Sequence, residues 1–164
     1  MVISSFPPIA DARPRVLILG TMPSVVSLAK QQYYGHAQNA FWPILFALWA
    51  QENDISYEAR RAFAITHEIA IWDVAYQCER EGSSDQAISA VVPNDVVGLL
   101  QSHDTIHHVF LNGGTAQRLY KRFCGDVTLP AVLLPSTSPA YTLPFAQKLN
   151  GWRVVREAVE KHHL

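Results

Sequence analysis

The sequence predicts an α/β fold, a three-layer α/β/α sandwich with a central, mostly parallel four-stranded sheet. Three observations carry this prediction. Four short apolar runs, Val16–Leu19, Ile69–Trp72, His108–Leu111 and Ala131–Leu134, have the length and composition of strands buried on both faces. Each run ends in a turn signal: Gly20 with Pro23, Asp73, Asn112-Gly113-Gly114, and Pro135-Ser136. Helical patterns fill the intervals, and strands that alternate with helices build parallel sheets.

Taken in order, the helices are read as follows. Phe41–Gln51 puts Phe41, Leu45 and Leu48 on one face, and Ser56–Ile65 comes next. Pro93–Ser102 carries Pro93 as a first-turn residue, and Thr115–Phe123 opens after two glycines. Asn150–His163 closes the chain. Right-handed crossovers then bring every strand's C-terminal end to one rim. The turn at Gly20, Trp72-Asp73, the turn at Asn112 and the loop Pro135–Ala140 meet there, where open α/β sheets bind their ligands.

Composition narrows the class. The chain has 164 residues, 49% of them hydrophobic and 16% charged, which suits one domain over 1–164 and excludes a disordered segment. No apolar run is long enough to span a bilayer, and the N-terminus lacks a basic-then-apolar leader, so a cytoplasmic protein without a membrane partner is expected. A net charge of −1 is wrong for a protein that coats nucleic acid, but it leaves room for a local patch that touches a few phosphates. Cys78 and Cys124, far apart, cannot build a cysteine-rich metal or iron–sulfur site and read as two reduced thiols. The adjacent pairs His107-His108 and His162-His163 do not read as chelating sites. Phosphate-loop, serine-elbow and zinc-protease motifs are missing. No metal, no cofactor and no obligate protein partner is expected.

Several motifs each admit two readings. Gly20-Thr21-Met22-Pro23-Ser24 is either a backbone cradle for a ligand or an ordinary strand-to-loop turn. In Tyr33–Trp42, Tyr34 can stack on a base and Asn39 can bond a base edge or a water. Alternatively the aromatics are core and Asn39 caps the helix that starts at Phe41. His36 is the one histidine placed near this pocket. Asp73 either accepts a hydrogen from a ligand or caps a helix over Val74–Arg80. Asn112-Gly113-Gly114-Thr115 is either an anion nest or a plain turn. The small hydroxyl residues of Pro135–Tyr141 either donate to phosphate oxygens or form a rigid surface loop.

In this order and spacing, the motifs together resemble the uracil-DNA glycosylase superfamily, and within it the hypoxanthine-DNA (deoxyinosine) glycosylases. Gly20–Ser24 is similar to the superfamily's first motif. Tyr33–Trp42 is similar to the matching stretch of the mismatch-specific enzymes. Ile71-Trp72-Asp73-Val74 with Cys78–Ser83 is similar to a segment of the hypoxanthine branch. Pro135–Ala140 is similar to the second motif, and the likeness runs from about Ile18 to Trp152.

The resemblance implies roles position by position. Gly20, Thr21, Met22 and Tyr34 would bind the flipped base, with Tyr34 as the stacking aromatic. Asn39 would be the catalytic residue. Pro23, Ser24, Ser136, Thr137, Ser138, Pro139 and Ala140 would contact DNA. Many members carry Asp or Asn at the third position of the first motif, where it orients the attacking water. Met22 stands there instead, which fits the hypoxanthine branch and leaves no strong general base in view. The activity implied is a slow, monofunctional hydrolysis of the N-glycosidic bond of a deaminated base in DNA, leaving an abasic site. Asp73 is added as a base-reading residue, because hypoxanthine presents an N1–H donor where adenine presents an acceptor. The alternatives are a uracil or mismatch-specific glycosylase and a non-catalytic nucleotide- or nucleic-acid-binding α/β domain.

Overall fold

The computed structural model describes residues 2–11 and 13–161. Four parallel strands form the central sheet: β2 (Val16–Gly20), β3 (Ile69–Asp73), β6 (His108–Asn112) and β7 (Ala131–Leu134), in the order β3-β2-β6-β7. All four predicted strands are present, each within one residue of its expected bounds. The sheet is wholly parallel because a helix-bearing segment separates each pair of neighbours in the chain.

Side-chain alternation on β2 sorts the two flanking layers. Val16 and Ile18 join a core with α2 (Phe41–Leu48), α3 (Tyr57–Thr66) and α6 (Phe145–Lys161). Leu17 and Leu19 face the other way, onto α4 (Val96–Ser102) and α5 (Gly114–Phe123). Four residues of β2, Val16 to Leu19, are completely buried, as a strand covered on both sides must be. In the first layer Phe41 sits edge-on to both Trp42 and Trp152, with centroids 4.9 and 5.6 Å away.

Four features depart from the expectation. A second sheet, antiparallel and ordered β1-β4-β5, joins β1 (Val2–Ser4), β4 (Ala75–Glu79) and β5 (Ser89–Pro93). These strands are short, largely solvent-facing and irregular in register, so they carry no apolar run to read. The stretch read as a possible helix over Val74–Arg80 is therefore a bend at Val74 followed by strand β4 (Ala75–Glu79), and Asp73 caps no helix there. Pro93 ends β5 instead of opening a helix, and Asp95 caps α4 through Gly98 N (2.9 Å). Helix α1 (Val25–Lys30) begins at the Ser24 cap, and α6 starts at Phe145, ahead of Asn150. The proposed end of that helix at His163, and the pair His162-His163, lie outside the described residues.

The bend from β3 into β4 is held by Asn94. Its Nδ2 donates to Asp73 O (2.8 Å), Ala75 O (3.2 Å) and Ser5 Oγ (3.3 Å), and its N–H donates to Val74 O (2.8 Å). Asn94→Ala keeps the backbone bond to Val74 O but leaves the Asp73 and Ala75 carbonyls without the side-chain donor, and a loss of about 1–3 kcal/mol is expected in urea unfolding. An unchanged midpoint would show that Asn94 does not hold the bend.

Candidate functional site

Gly20 and Asp73 are the last residues of neighbouring strands and lie side by side in register. The Gly20 and Thr21 carbonyls accept from Val74 N (2.9 Å) and Ala75 N (3.2 Å), so the first motif is sewn to the strand switch. A side chain on Gly20 has no room: its Cβ would lie 2.6 Å from Asp73 Oδ1 and 2.7 Å from Tyr34 Oη. The two polar tips and this glycine form the floor of the rim.

Tyr34 reaches the floor from the other end of the aromatic cluster. Its ring stacks on Phe41 with centroids 3.9 Å apart and planes 12° from parallel, which fixes its orientation. Its backbone is left-handed (φ 55°), a strained conformation for a bulky residue and typical of functional positions. Tyr33, Phe41 and Trp42 are core, as the second reading of that stretch held. Tyr33 bonds the N-terminal segment through Pro7 O (2.8 Å), and Trp42 Nε1 donates to Tyr33 O (2.8 Å).

Among the described residues, three buried polar atoms here have no hydrogen-bond partner: Thr21 Oγ1, Tyr34 Oη and Asp73 Oδ2. Burial pushes the Asp73 carboxyl up to about 7; the nearby Asp85 adds to this and Arg80 opposes it. Burial, and then the Asp73 charge, hold the Tyr34 hydroxyl well above its ordinary range, so it keeps its proton at neutral pH. The floor thus offers an acceptor and donors to whatever polar edge enters.

The second motif is clamped from three sides. Asn112, at the end of β6, donates from Nδ2 to Thr137 Oγ1 and accepts at Oδ1 from Thr137 N, both at 3.0 Å. Ala40 N donates to Thr137 O (3.0 Å), which ties the Asn39 segment to the same loop. On α6, Trp152 Nε1 donates to Pro135 O (2.8 Å) and Lys148 Nζ to Ser138 O (3.1 Å). Gly151 lets Pro135 lie against the helix, since a Cβ there would sit 2.6 Å from Pro135 Cγ.

The structure therefore brings the sequence-predicted residues to one rim and divides them by accessibility. Thr137 is buried and bonded within the protein at its N–H, carbonyl and hydroxyl, so it anchors the loop and presents nothing to DNA. Ser136 and Ser138 are half-buried, and Pro139 and Ala140 are exposed. Met22 and Pro23 are buried, and the Pro23 carbonyl accepts from Arg80 Nη2, so Pro23 is likewise an internal brace. Ser24 Oγ caps α1 by accepting from Ser27 N (3.1 Å). Asn39 Oδ1 accepts from Phe41 N (2.9 Å) in a turn just ahead of α2, whose N-cap is Ala40 without a side-chain bond, so Asn39 is not the helix cap; its Nδ2 makes no bond among the described residues. His36 Nδ1 accepts from Gln38 N (3.1 Å) in the same turn. The Gly113 N–H is bonded to Leu111 O (3.0 Å) and Leu134 O (3.2 Å), and the Asn112 side chain is bonded to Thr137, so this turn is not an open anion nest.

Sequence reading missed Asn112 as a clamp, together with Arg80, Lys148 and Trp152. All four are polar or amphipathic side chains that fasten backbone carbonyls or loop atoms, a use that leaves no spacing signature. Arg80 Nε donates to Gly82 O (2.8 Å), and Ser83 Oγ accepts from Val25 N (2.9 Å). The segment 80–83 is thereby fastened onto the first motif.

The parallel sheet, its glycine floor, the buried carboxylate and the clamped serine–proline loop form one rim at the strand ends, where α/β folds bind their ligands. The chain belongs to the uracil DNA glycosylase superfamily, whose sequence pattern matches residues 7–160. It is 32% identical over 163 residues to the hypoxanthine DNA glycosylase of Methanosarcina acetivorans, covering 99% of this chain and 100% of that protein. It is 30% identical over 148 residues to the hypoxanthine DNA glycosylase of Methanosarcina barkeri, covering 90% and 93%. A solution NMR structure of a Methanosarcina acetivorans protein, proposed to be a uracil DNA glycosylase, superposes with a TM-score of 0.84 at 30% identity, over 98% of this chain and 99% of that one. Among the described residues no helix is long and apolar enough to cross a membrane.

The Asp73 environment makes stability fall as pH rises. Its carboxyl holds a proton more tightly folded than unfolded, so its contribution is fully present below about pH 4 and is lost as pH rises through about 7. Asp73→Asn is expected to be the more stable protein at pH 8, by roughly 2–4 kcal/mol, with the gap closing towards pH 4. Thermal melts across that range check this; a gap that does not change with pH rules out a shifted Asp73.

Proposed function

We propose that this chain is a monofunctional DNA glycosylase that removes hypoxanthine from DNA. The carrying observation is the orphaned Asp73 carboxylate beside Gly20 and Tyr34, at the rim that also holds the second-motif loop. The names of the two relatives support the same substrate.

The base leaves the stack before its glycosidic bond is exposed; flipping costs a few kcal/mol, and less at a mismatch. Pro139 and Ala140, at the exposed tip of the second motif, enter the space it vacates, with Ser136 and Ser138 beside them. The flipped base stacks on the Tyr34 face opposite Phe41, a contact worth about 1–3 kcal/mol. Asp73 Oδ2 accepts from hypoxanthine N1–H. Adenine offers an acceptor at that position, so an ionised Asp73 repels it.

The bond from C1′ to N9 breaks with its electron pair going to the base. The sugar becomes cation-like, and water adds to C1′ while its proton passes to the departing base anion. Met22 supplies no base, so catalysis rests on stabilising the departing anion and on position. Asn39 Nδ2 is the donor assigned to these tasks, since Oδ1 is held by Phe41 N. Uracil presents an N3–H that the same carboxylate accepts, and this keeps uracil as the second reading.

Asn39→Asp keeps an acceptor for Phe41 N and removes the amide donor. We expect a normally folded protein with excision of hypoxanthine lowered by about 10²–10³. Full activity in that variant removes Asn39 from catalysis. A panel of oligonucleotides carrying hypoxanthine, uracil or xanthine, scored by alkaline cleavage, tests the substrate. Hypoxanthine is expected to be cleaved fastest, and Asp73→Asn to narrow its margin over adenine. No cleavage of any lesion would leave only a binding domain.

A further inference from the structure

Lys148 is the one lysine that the fold buries. An ammonium has three donors and a full charge, and burying it without an anion is costly. Its Nζ donates to Ser138 O (3.1 Å), which is a neutral carbonyl. The ammonium also lies 5.4 Å from the centroid of the Tyr141 ring. Among the described residues it forms no ion pair with a carboxylate. Its affinity for the proton is lowered by burial alone, with no neighbouring acid to restore it.

The position of this unpaired charge is informative. Lys148 stands on the second turn of a 17-residue helix, directly behind Ser138 in the loop Ser136–Ala140. Tyr141, which covers it, is 46% exposed, and so is its neighbour along the helix start, Phe145, at 45%. The exposed Tyr141 ring lies beside the cation, on the loop to which the proposed function brings DNA. A molecule with net charge −1 has little general attraction for a polyanion, so local cations at this loop must supply it.

We propose that Lys148 binds a DNA backbone phosphate, reached when Tyr141 moves aside, and that the Ser138 carbonyl holds the ammonium ready for it. This rests on DNA being the ligand of the chain, as argued above. The Tyr141 ring provides the aromatic face that stabilises the cation while the site is empty.

The test is binding of an undamaged duplex by wild type, Lys148→Gln, Lys148→Arg and Lys148→Met, followed by fluorescence anisotropy across a potassium chloride series. One lost phosphate contact lowers the slope of log affinity against log salt by about 0.9. We expect that decrease in Lys148→Gln, equally on any sequence, and recovery in Lys148→Arg. Lys148→Met keeps the apolar stem and serves if the glutamine variant fails to fold. A slope unchanged in the folded neutral variant would overturn the proposal and leave Lys148 as a tie for the loop. A wild-type melting temperature raised by inorganic phosphate, together with an unchanged DNA slope in the variant, assigns the lysine to a free anion and also overturns it. If wild type excises hypoxanthine while the variant slope is unchanged, only the lysine assignment fails. If wild type neither excises nor binds duplex, the glycosylase reading fails with it.

Discussion

The architecture of the rim depends on a pair of hydrogen bonds between the Asn112 amide and Thr137. A strand end and a loop 25 residues later are locked by one side chain that satisfies both a backbone N–H and a hydroxyl. Ala40 adds a third bond to the same residue, so the helix carrying Phe41 takes its position from Thr137 as well. Because Phe41 fixes the Tyr34 ring, the orientation of that ring traces back through one buried threonine. The parallel sheet provides the frame, but this polar junction sets where the aromatic and loop elements stand relative to the glycine floor.

The same rim carries a thermodynamic cost. Among the described residues a carboxylate oxygen, a phenol and a threonine hydroxyl are buried without hydrogen-bond partners, and a tyrosine is held in the left-handed region. Groups that lower stability and persist at one place are characteristic of sites preorganised for a ligand. Arg80 moderates the electrostatic part, yet one of its own nitrogens, Nη1, is also unpartnered. The charge environment around Asp73 is therefore left incomplete on both sides of the pair.

The sequence made the sheet legible because strands buried on both faces must be almost wholly apolar, and Val16–Leu19 or Ile69–Trp72 admit no other use. It also located the rim, since Gly20, Asp73, Asn112 and Pro135 each follow such a run. The antiparallel sheet was not legible: β5 exposes most of its residues, β4 mixes buried and exposed positions without regular alternation, and the turn between β3 and β4 depends on the Asn94 bonds rather than on pattern. The helical reading of Val74–Arg80 failed for the same reason. Within the site, residue types were readable but directions were not. Thr137 and Pro23 look from the sequence like surface residues of a DNA-facing loop, yet their polar atoms turn inward. Conversely, nothing about Lys148, which lies ahead of the helix read at Asn150–His163, says that it will stand in α6 and be buried. Side-chain direction on a loop follows from which backbone groups need a partner, and that is a property of the assembled rim.

Gly151 carries one more consequence. A glycine in the middle of a 17-residue helix costs about 1 kcal/mol relative to alanine. It is tolerated here because the Pro135 ring occupies the space that any β-carbon would need. Helix and loop are thus matched like key and ward, and neither position can drift alone. Any lineage that gains a side chain at 151 must first surrender the proline at 135, or else lift the loop off the helix and lose the bond from Trp152. The two sites, 16 residues apart, are expected to change together or not at all.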